Sequence, residues 1–164
     1  MRMIATCKLG LEAVTAAELR RLGLAVESVL DARVYFTGGM PELARACLWL
    51  RTAERVLLEV KRFPARTFEE LFQGVKGAEL KPWLTRDARI HVNGKSAKSA
   101  LFSVSDCQSI TKKAIVENLK AAYRTAVIPE TGPEVIVEIG LLRDEATLAL
   151  DCCGAGLSRR GYRT

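Results

Sequence analysis

Hydrophobic positions along the chain repeat with a period of two in some stretches and of three to four in others, and the changes of period mark out the elements. Residues 3–8 (MIATCK) read as a short strand. Gly10 opens LEAVTAAELRRLG, in which Leu11, Val14, Leu19 and Leu22 step as an amphipathic helix that Gly23 stops. AVESVL and RVYFTG are β-leaning runs joined around Asp31-Ala32 and ended by Gly38-Gly39. PELARACLWL places Pro41 at a first helical position, with Leu43, Ala46, Cys47 and Leu50 apolar. RVLLEVKRF (55–63) alternates as a strand. The order β-α-β-β-α-β over residues 3–63 predicts a ferredoxin-like split βαβ unit.

Pro64 separates this unit from the remainder. Thr67 and Glu70 form a T-x-x-E capping box at the head of the helix FEELFQGVKG. Residues 78–88, with Pro82-Trp83, read as a loop, and ARIHVNG as a strand with Ile90 and Val92 on one face. Ser105 and Gln108 predict a second capping box and the start of the longest helix, running to about Arg124. Its stripe is Cys107, Ile110, Ala114, Ile115, Leu119, Ala122 and Tyr123. After the PETGP turn, EVIVEIGLL and ATLALDC form a hairpin around Arg143-Asp144-Glu145. The pattern is that of an α+β chain with mixed sheets and no internal repeat.

At 164 residues, 49% hydrophobic and 27% charged, the composition is that of a folded protein with one domain or two small ones. No apolar run is long enough for a membrane span, and the N-terminus does not have the pattern of a signal peptide. Five Cys and the single His91 offer no C-x-x-C, so neighbours in sequence assemble neither a zinc site nor a redox motif. Adjacent Cys152 and Cys153 point to opposite faces of a strand, and the reading is buried thiols in a reducing cytoplasm. The net charge of +6 is unevenly placed: residues 1–80 contribute +2 and residues 81–164 contribute +4. Lys95, Lys98, Lys112, Lys113, Lys120 and Arg124 face only Asp106 and Glu117 within 95–124, and SRRGYRT ends the chain with no acid. Two basic segments of this kind suggest a polyanionic partner, most simply nucleic acid.

Four stretches carry a resemblance: ATCKLGLEAVTAAELRRLG (5–23), RACLWLRTAERVLLEVKRFPARTFEELFQGV (45–75), GKSAKSALFSVSDCQSITKKAIVENL (94–119) and DCCGAGLSRRGYR (151–163). In these the chain resembles the N-terminal RNA-binding part of bacterial SAM-dependent large-subunit ribosomal RNA guanine-N2 methyltransferases. The resemblance implies a ferredoxin-like domain over 1–63 and a THUMP domain over 64–155, with a profile start near residue 43 as the alternative. Residues 156–164 would then open the linker to a methyltransferase domain. Cys152-Cys153 stand where the family has Thr-Ser, and Ser158 where it has His. The family's catalytic motifs, a Gly-rich cofactor turn and a Pro-Pro-aromatic motif, do not occur in these 164 residues. The expectation is therefore an RNA-docking portion without catalysis of its own, holding no cofactor; SAM would belong to the catalytic domain.

The resemblance implies structured RNA as partner, 23S ribosomal RNA first and tRNA as the alternative; an interaction or regulatory module is a third reading. Lys95, Lys98, Lys112 and Lys113 are the candidate phosphate-binding cations, with Ser96 and Ser99 as hydrogen-bonding assistants near a helix N-terminus. The bland reading of the same residues is a solvated helix face with Lys113 and Glu117 paired. Arg159, Arg160 and Arg163, with Tyr162, form a second candidate cluster, read equally as a linker against the catalytic domain. Arg51 and Arg55 are expected to pair with Glu54 or Glu59, and Trp49 and Trp83 to be core or interface aromatics.

Overall fold

The computed structural model describes residues 1–154 and 156–159, and in it the chain divides into two compact units: Met1–Glu59 together with the segment from Asp151, and Val60–Leu150. The first unit is built from β1 (Arg2–Cys7), α1 (Glu12–Arg21), β2 (Ala25–Leu30), β3 (Arg33–Thr37), α2 (Met40–Trp49) and the start of β4 (Ala53–Pro64). Its strand order is β2-β3-β1-β4, every neighbouring pair antiparallel. β3 lies between β1 and β2, so the first helix crosses over a strand position, as the split βαβ pattern requires. Met3, Ile4, Leu19, Phe36, Leu50 and Leu57 are fully buried. Trp49 is 63% exposed and is not a core residue of its unit.

Two carboxylates organise the loops of this unit. Glu12, in the first turn of α1, accepts the N–H groups of Gly10 and of Ala32 at 2.9 and 2.8 Å, fixing the β1–α1 and β2–β3 connections. These backbone donors hold its carboxyl below the usual carboxylate range. Glu18, near the end of α1, takes the N–H groups of Arg51 and Thr52 at 3.1 Å and the Thr52 hydroxyl at 2.9 Å, tying α1 to the entry of β4.

The second unit begins with the last residues of β4 and continues through α3 (Phe68–Lys76), β5 (Arg89–Ala97), α4 (Val104–Tyr123), β6 (Glu134–Leu142) and β7 (Glu145–Asp151). Its strand order is β4-β7-β6-β5. β5 and β6 run parallel, from Arg89 opposite Glu134 to Ala97 opposite Leu142, and α4 makes the crossover such a pair needs. β6 and β7 are an antiparallel hairpin turning at Arg143-Asp144. Both helices cover one face. Gly74 of α3 sits so close to Phe63 that a Cβ there would meet the ring at 2.1 Å, and Gly94 of β5 gives way to Gln108 and Val104 of α4 in the same manner. Asn118 of α4 donates to the carbonyls of Lys76 and Ala78 at 2.7 Å, closing α3 against α4.

Helix starts depart from the sequence reading in detail. Thr67 does accept the Glu70 N–H at 3.1 Å, but the Glu70 carboxylate reaches back one residue further, to the Arg66 N–H at 2.6 Å. α4 begins at Val104, so Ser103 is the cap residue, and its hydroxyl donates to Asp106 rather than satisfying a backbone group. Gln108 caps nothing; its amide donates to the Val92 carbonyl at 3.1 Å and pins the helix to β5. Thr111 is fully buried in the stripe, while Ile110, Ala122 and Tyr123 are only half-buried.

Two outcomes follow from these contacts. Gly74→Ala is expected to destabilise the chain by about 1–3 kcal/mol in urea titration, because overpacking against Phe63 outweighs the better helix propensity of Ala. Glu12→Gln is expected to lower the melting temperature at neutral pH and to make little difference near pH 2. A depressed carboxyl contributes stability above its unfolded pKa of about 4.3 and loses it as pH falls through the folded value. A thermal-melt series from pH 7 to 2 on both proteins checks this.

Candidate nucleic-acid interface

The β6–β7 turn gathers three stretches of the second unit around one aspartate. The Asp144 carbonyl accepts the Ala65 N–H at 2.8 Å and its carboxylate lies 3.5 Å from the Arg66 guanidinium. The same carboxylate accepts the Ala100 N–H at 2.7 Å, and the Asp144 N–H donates to the Ser99 hydroxyl at 3.0 Å. Next to it, the Arg143 N–H donates to the Ala97 carbonyl at 3.2 Å. Within the loop itself, Ser99 donates to the Ala97 carbonyl at 3.0 Å and Ser96 to the Leu101 carbonyl at 2.6 Å.

Ser96 and Ser99 thus spend their hydroxyl protons on shaping the 97–103 loop. Lys98, Arg143 and Asp144 all adopt positive φ, between +50° and +64°. Left-handed backbone at a non-glycine residue costs roughly 1–2 kcal/mol, so the staples to Ser99 and Ala97 hold these turns open. The result is a presentation surface. Lys98 and Arg143 are exposed and make no ion pair among the described residues, and Arg66 is largely exposed beside them. Buried Leu101 anchors the next residue, Phe102, whose ring is 83% exposed, more than any other large hydrophobic side chain described. Cations and an exposed aromatic together are what phosphates and unpaired bases bind.

The remaining candidate residues are distributed differently. On β5, Ile90 and Val92 are buried toward α4 while His91, Asn93 and Lys95 are exposed, so Lys95 points away from the helix that carries Lys112 and Lys113. Lys95 lies 3.8 Å from Glu138, a loose pair with its own side chain still 65% exposed. Lys112 pairs with Glu130 at 3.0 Å, and Glu117 pairs with Lys120 at 3.2 Å rather than with Lys113, which is exposed and makes no ion pair among the described residues. Helical rise sets Lys112 about 12 Å along the axis from Val104. Arg159 is exposed in the first unit at the end of a short 3-10 turn, Leu157–Arg159. Arg160, Tyr162 and Arg163 lie outside the described residues. Arg55 pairs with Asp151, not with Glu54 or Glu59 as expected, and also donates to the Gly154 carbonyl at 3.2 Å. Trp83 is partly exposed. No sequence pattern marks Arg66 or Arg143; the signal for Phe102 is an aromatic, between Leu101 and Ser103, just ahead of a helix.

Two family profiles match the chain, that of the RlmL ferredoxin-like domain over residues 2–57 and that of the THUMP domain over residues 65–151. The chain belongs to the THUMP-domain family. The Asp144 turn and the 97–103 loop both fall inside the THUMP match. A curated relative, "Putative RNA methyltransferase YpsC" of Bacillus subtilis (strain 168), is 47% identical over 163 residues, which make up 98% of this chain and 42% of that protein. "Ribosomal RNA large subunit methyltransferase K/L" of Pseudomonas savastanoi pv. phaseolicola is 35% identical over 96% of this chain and 21% of its own length. Among solved structures, a "predicted N6-adenine-specific DNA methylase" from Listeria monocytogenes superposes with a TM-score of 0.93 at 46% identity, covering 99% of this chain and 43% of that one. The chain thus spans between one fifth and somewhat over two fifths of these proteins and matches the ferredoxin-like plus THUMP region of methyltransferase relatives. No described helix is long and apolar enough to cross a membrane.

If the aspartate holds the THUMP loop, Asp144→Ala loosens it. Limited trypsin digestion is expected to cut after Lys98 several-fold faster in Asp144→Ala than in the parent, and Asp144→Asn, which keeps an acceptor for the Ala100 N–H, is expected to fall between them.

Proposed function

We propose that this chain docks structured RNA, large-subunit ribosomal RNA in particular, and presents it to a methyl-transferring part that the longer relatives carry beyond the matched region. The observation that carries this reading is the cationic loop cluster of Lys98, Arg143 and Arg66 beside exposed Phe102, inside the THUMP match. Cations neutralise phosphates without regard to sequence, and the ring stacks on a base that is not paired. A-form duplex hides its base edges from side chains, so the reading calls for a junction between a stem and a single-stranded stretch. The names of the relatives supply the ribosomal RNA, and Lys95, Lys112, Lys113 and Arg159 add to the long-range positive field without touching the RNA.

Methyl transfer itself falls outside this reading of the chain. The Gly-x-Gly at 154–156 follows β7, and Arg55 holds both the Gly154 carbonyl and the Asp151 carboxylate beside it, which supports reading this stretch as a structural turn.

Fluorescence anisotropy with a labelled stem-loop bearing a single-stranded 3′ extension tests the proposal. The affinity is expected to fall with salt, and Lys98→Ala/Arg143→Ala to flatten the log–log slope by about 1.4. Phe102→Ala is expected to weaken binding on the order of 5- to 100-fold at fixed salt and leave the slope unchanged. Equal affinity for DNA of the same sequence, or affinity independent of both changes, would overturn the reading.

A further inference from the structure

Helix α2 in the first unit passes the segment that follows β7, and two thiols meet there although 106 positions separate them in sequence. Cys47 Sγ lies 3.9 Å from Cys153 Sγ and donates to the Cys152 carbonyl at 3.8 Å. The segment is fixed by its backbone: the Cys152 N–H donates to the Val56 carbonyl at 3.0 Å, and the Cys153 N–H to the Asp151 carboxylate at 2.9 Å. Asp151 is itself held by Arg55. Both Cys47 and Cys153 are half-buried, so small reagents reach them, and the five cysteines form no disulfide in this state.

We propose that Cys47 and Cys153 are an oxidative modification site, closing to an intramolecular disulfide when the protein meets a hydroperoxide. The sulfurs are already in van der Waals contact, and rotation about the two side chains brings them toward the ~2.05 Å of a bond. Cys153 Sγ accepts the Val56 N–H at 3.1 Å and donates to the Val56 carbonyl at 3.8 Å; the N–H stabilises the sulfur anion once the thiol has lost its proton, and Cys153 is the attacking group in the proposed step.

That thiolate attacks the outer oxygen of the peroxide. An S–O bond forms, the O–O bond breaks, and the departing alkoxide or hydroxide takes a proton as alcohol or water, leaving Cys153 as a sulfenic acid. Cys47 then gives up its proton and attacks the Cys153 sulfur; the S–S bond forms, and the hydroxyl leaves as water with that proton. Two thiols and one hydroperoxide become one disulfide, one alcohol or water and one further water. Cys152 stays out of this chemistry. Burial, with Cys153 beside it, pushes its thiol up to about 11, and Cys47 donates to its carbonyl.

The reduced chain is treated with hydrogen peroxide, the remaining thiols are capped with N-ethylmaleimide, and the digest is mapped by mass spectrometry. The expected result is three capped thiols out of five and one peptide pair joined Cys47 to Cys153. The link should be lost in Cys47→Ser and Cys153→Ser and kept in Cys152→Ser, with melting curves confirming that each variant folds. The oxidised parent is expected to melt on the order of 5 °C higher than the reduced one, since the bridge closes a long loop. A link through Cys152, a chain-to-chain disulfide, or five capped thiols after peroxide overturns the proposal. The parent's peptide map decides the matter even if a serine variant does not fold.

Discussion

Asp144 is the residue on which the second unit's working surface depends. Its carbonyl serves Ala65, its N–H serves Ser99, and its carboxylate serves both Arg66 and Ala100, so two stretches of chain meet at one residue. A turn with two successive left-handed residues, Arg143 and Asp144, is unfavourable in isolation. Here the Arg143 N–H, the Asp144 N–H and the Asp144 carbonyl find partners at Ala97, Ser99 and Ala65, which hold the turn in place. The loop gains in return: Lys98, itself left-handed, is set in place by its neighbours' bonds to the turn. Neither the hairpin nor the loop has this shape without the other.

Charge follows from that architecture. One buried-side carboxylate lets Arg66 approach the same place as Lys98 and Arg143, positions that would otherwise repel one another. Because Asp144 spends its oxygens on the Ala100 N–H and Arg66, Lys98 and Arg143 keep their charge for an anionic partner. Several candidate cations elsewhere are answered from within, Lys112 by Glu130, Lys95 loosely by Glu138 and Arg55 by Asp151, while Lys113 keeps its charge exposed.

The order of elements was legible in the sequence because each has a clean period: Ile90 and Val92 against His91, or Val137, Ile139 and Leu141 facing Leu150, Leu148 and Ala146 across the hairpin. Family motifs made the two-part organisation legible as well. Contacts between distant residues were not. Ser105 and Gln108 fit a capping box, yet α4 starts two residues before that box, at the Ser103 cap, and Gln108 instead reaches Val92 through the space above Gly94. Lys95 stands close in sequence to the lysines of α4, but the pleat of β5 turns it away from that helix. Arg66 and Arg143 belong with Lys98 only through Asp144, and no local pattern announces that three non-glycine residues there take positive φ. Cys47 and Cys153 likewise meet only once the ferredoxin-like unit has folded.

The central claim is that RNA is held at the Asp144 turn and the 97–103 loop rather than along α4. Hydrogen–deuterium exchange of this chain, with and without a stem-loop RNA carrying a 3′ single-stranded extension, tests it most directly. The account predicts that bound RNA slows exchange in peptides covering 97–103 and 142–145 and leaves those covering 108–120 unchanged. Protection along 108–120 with none at the turn and loop would contradict it.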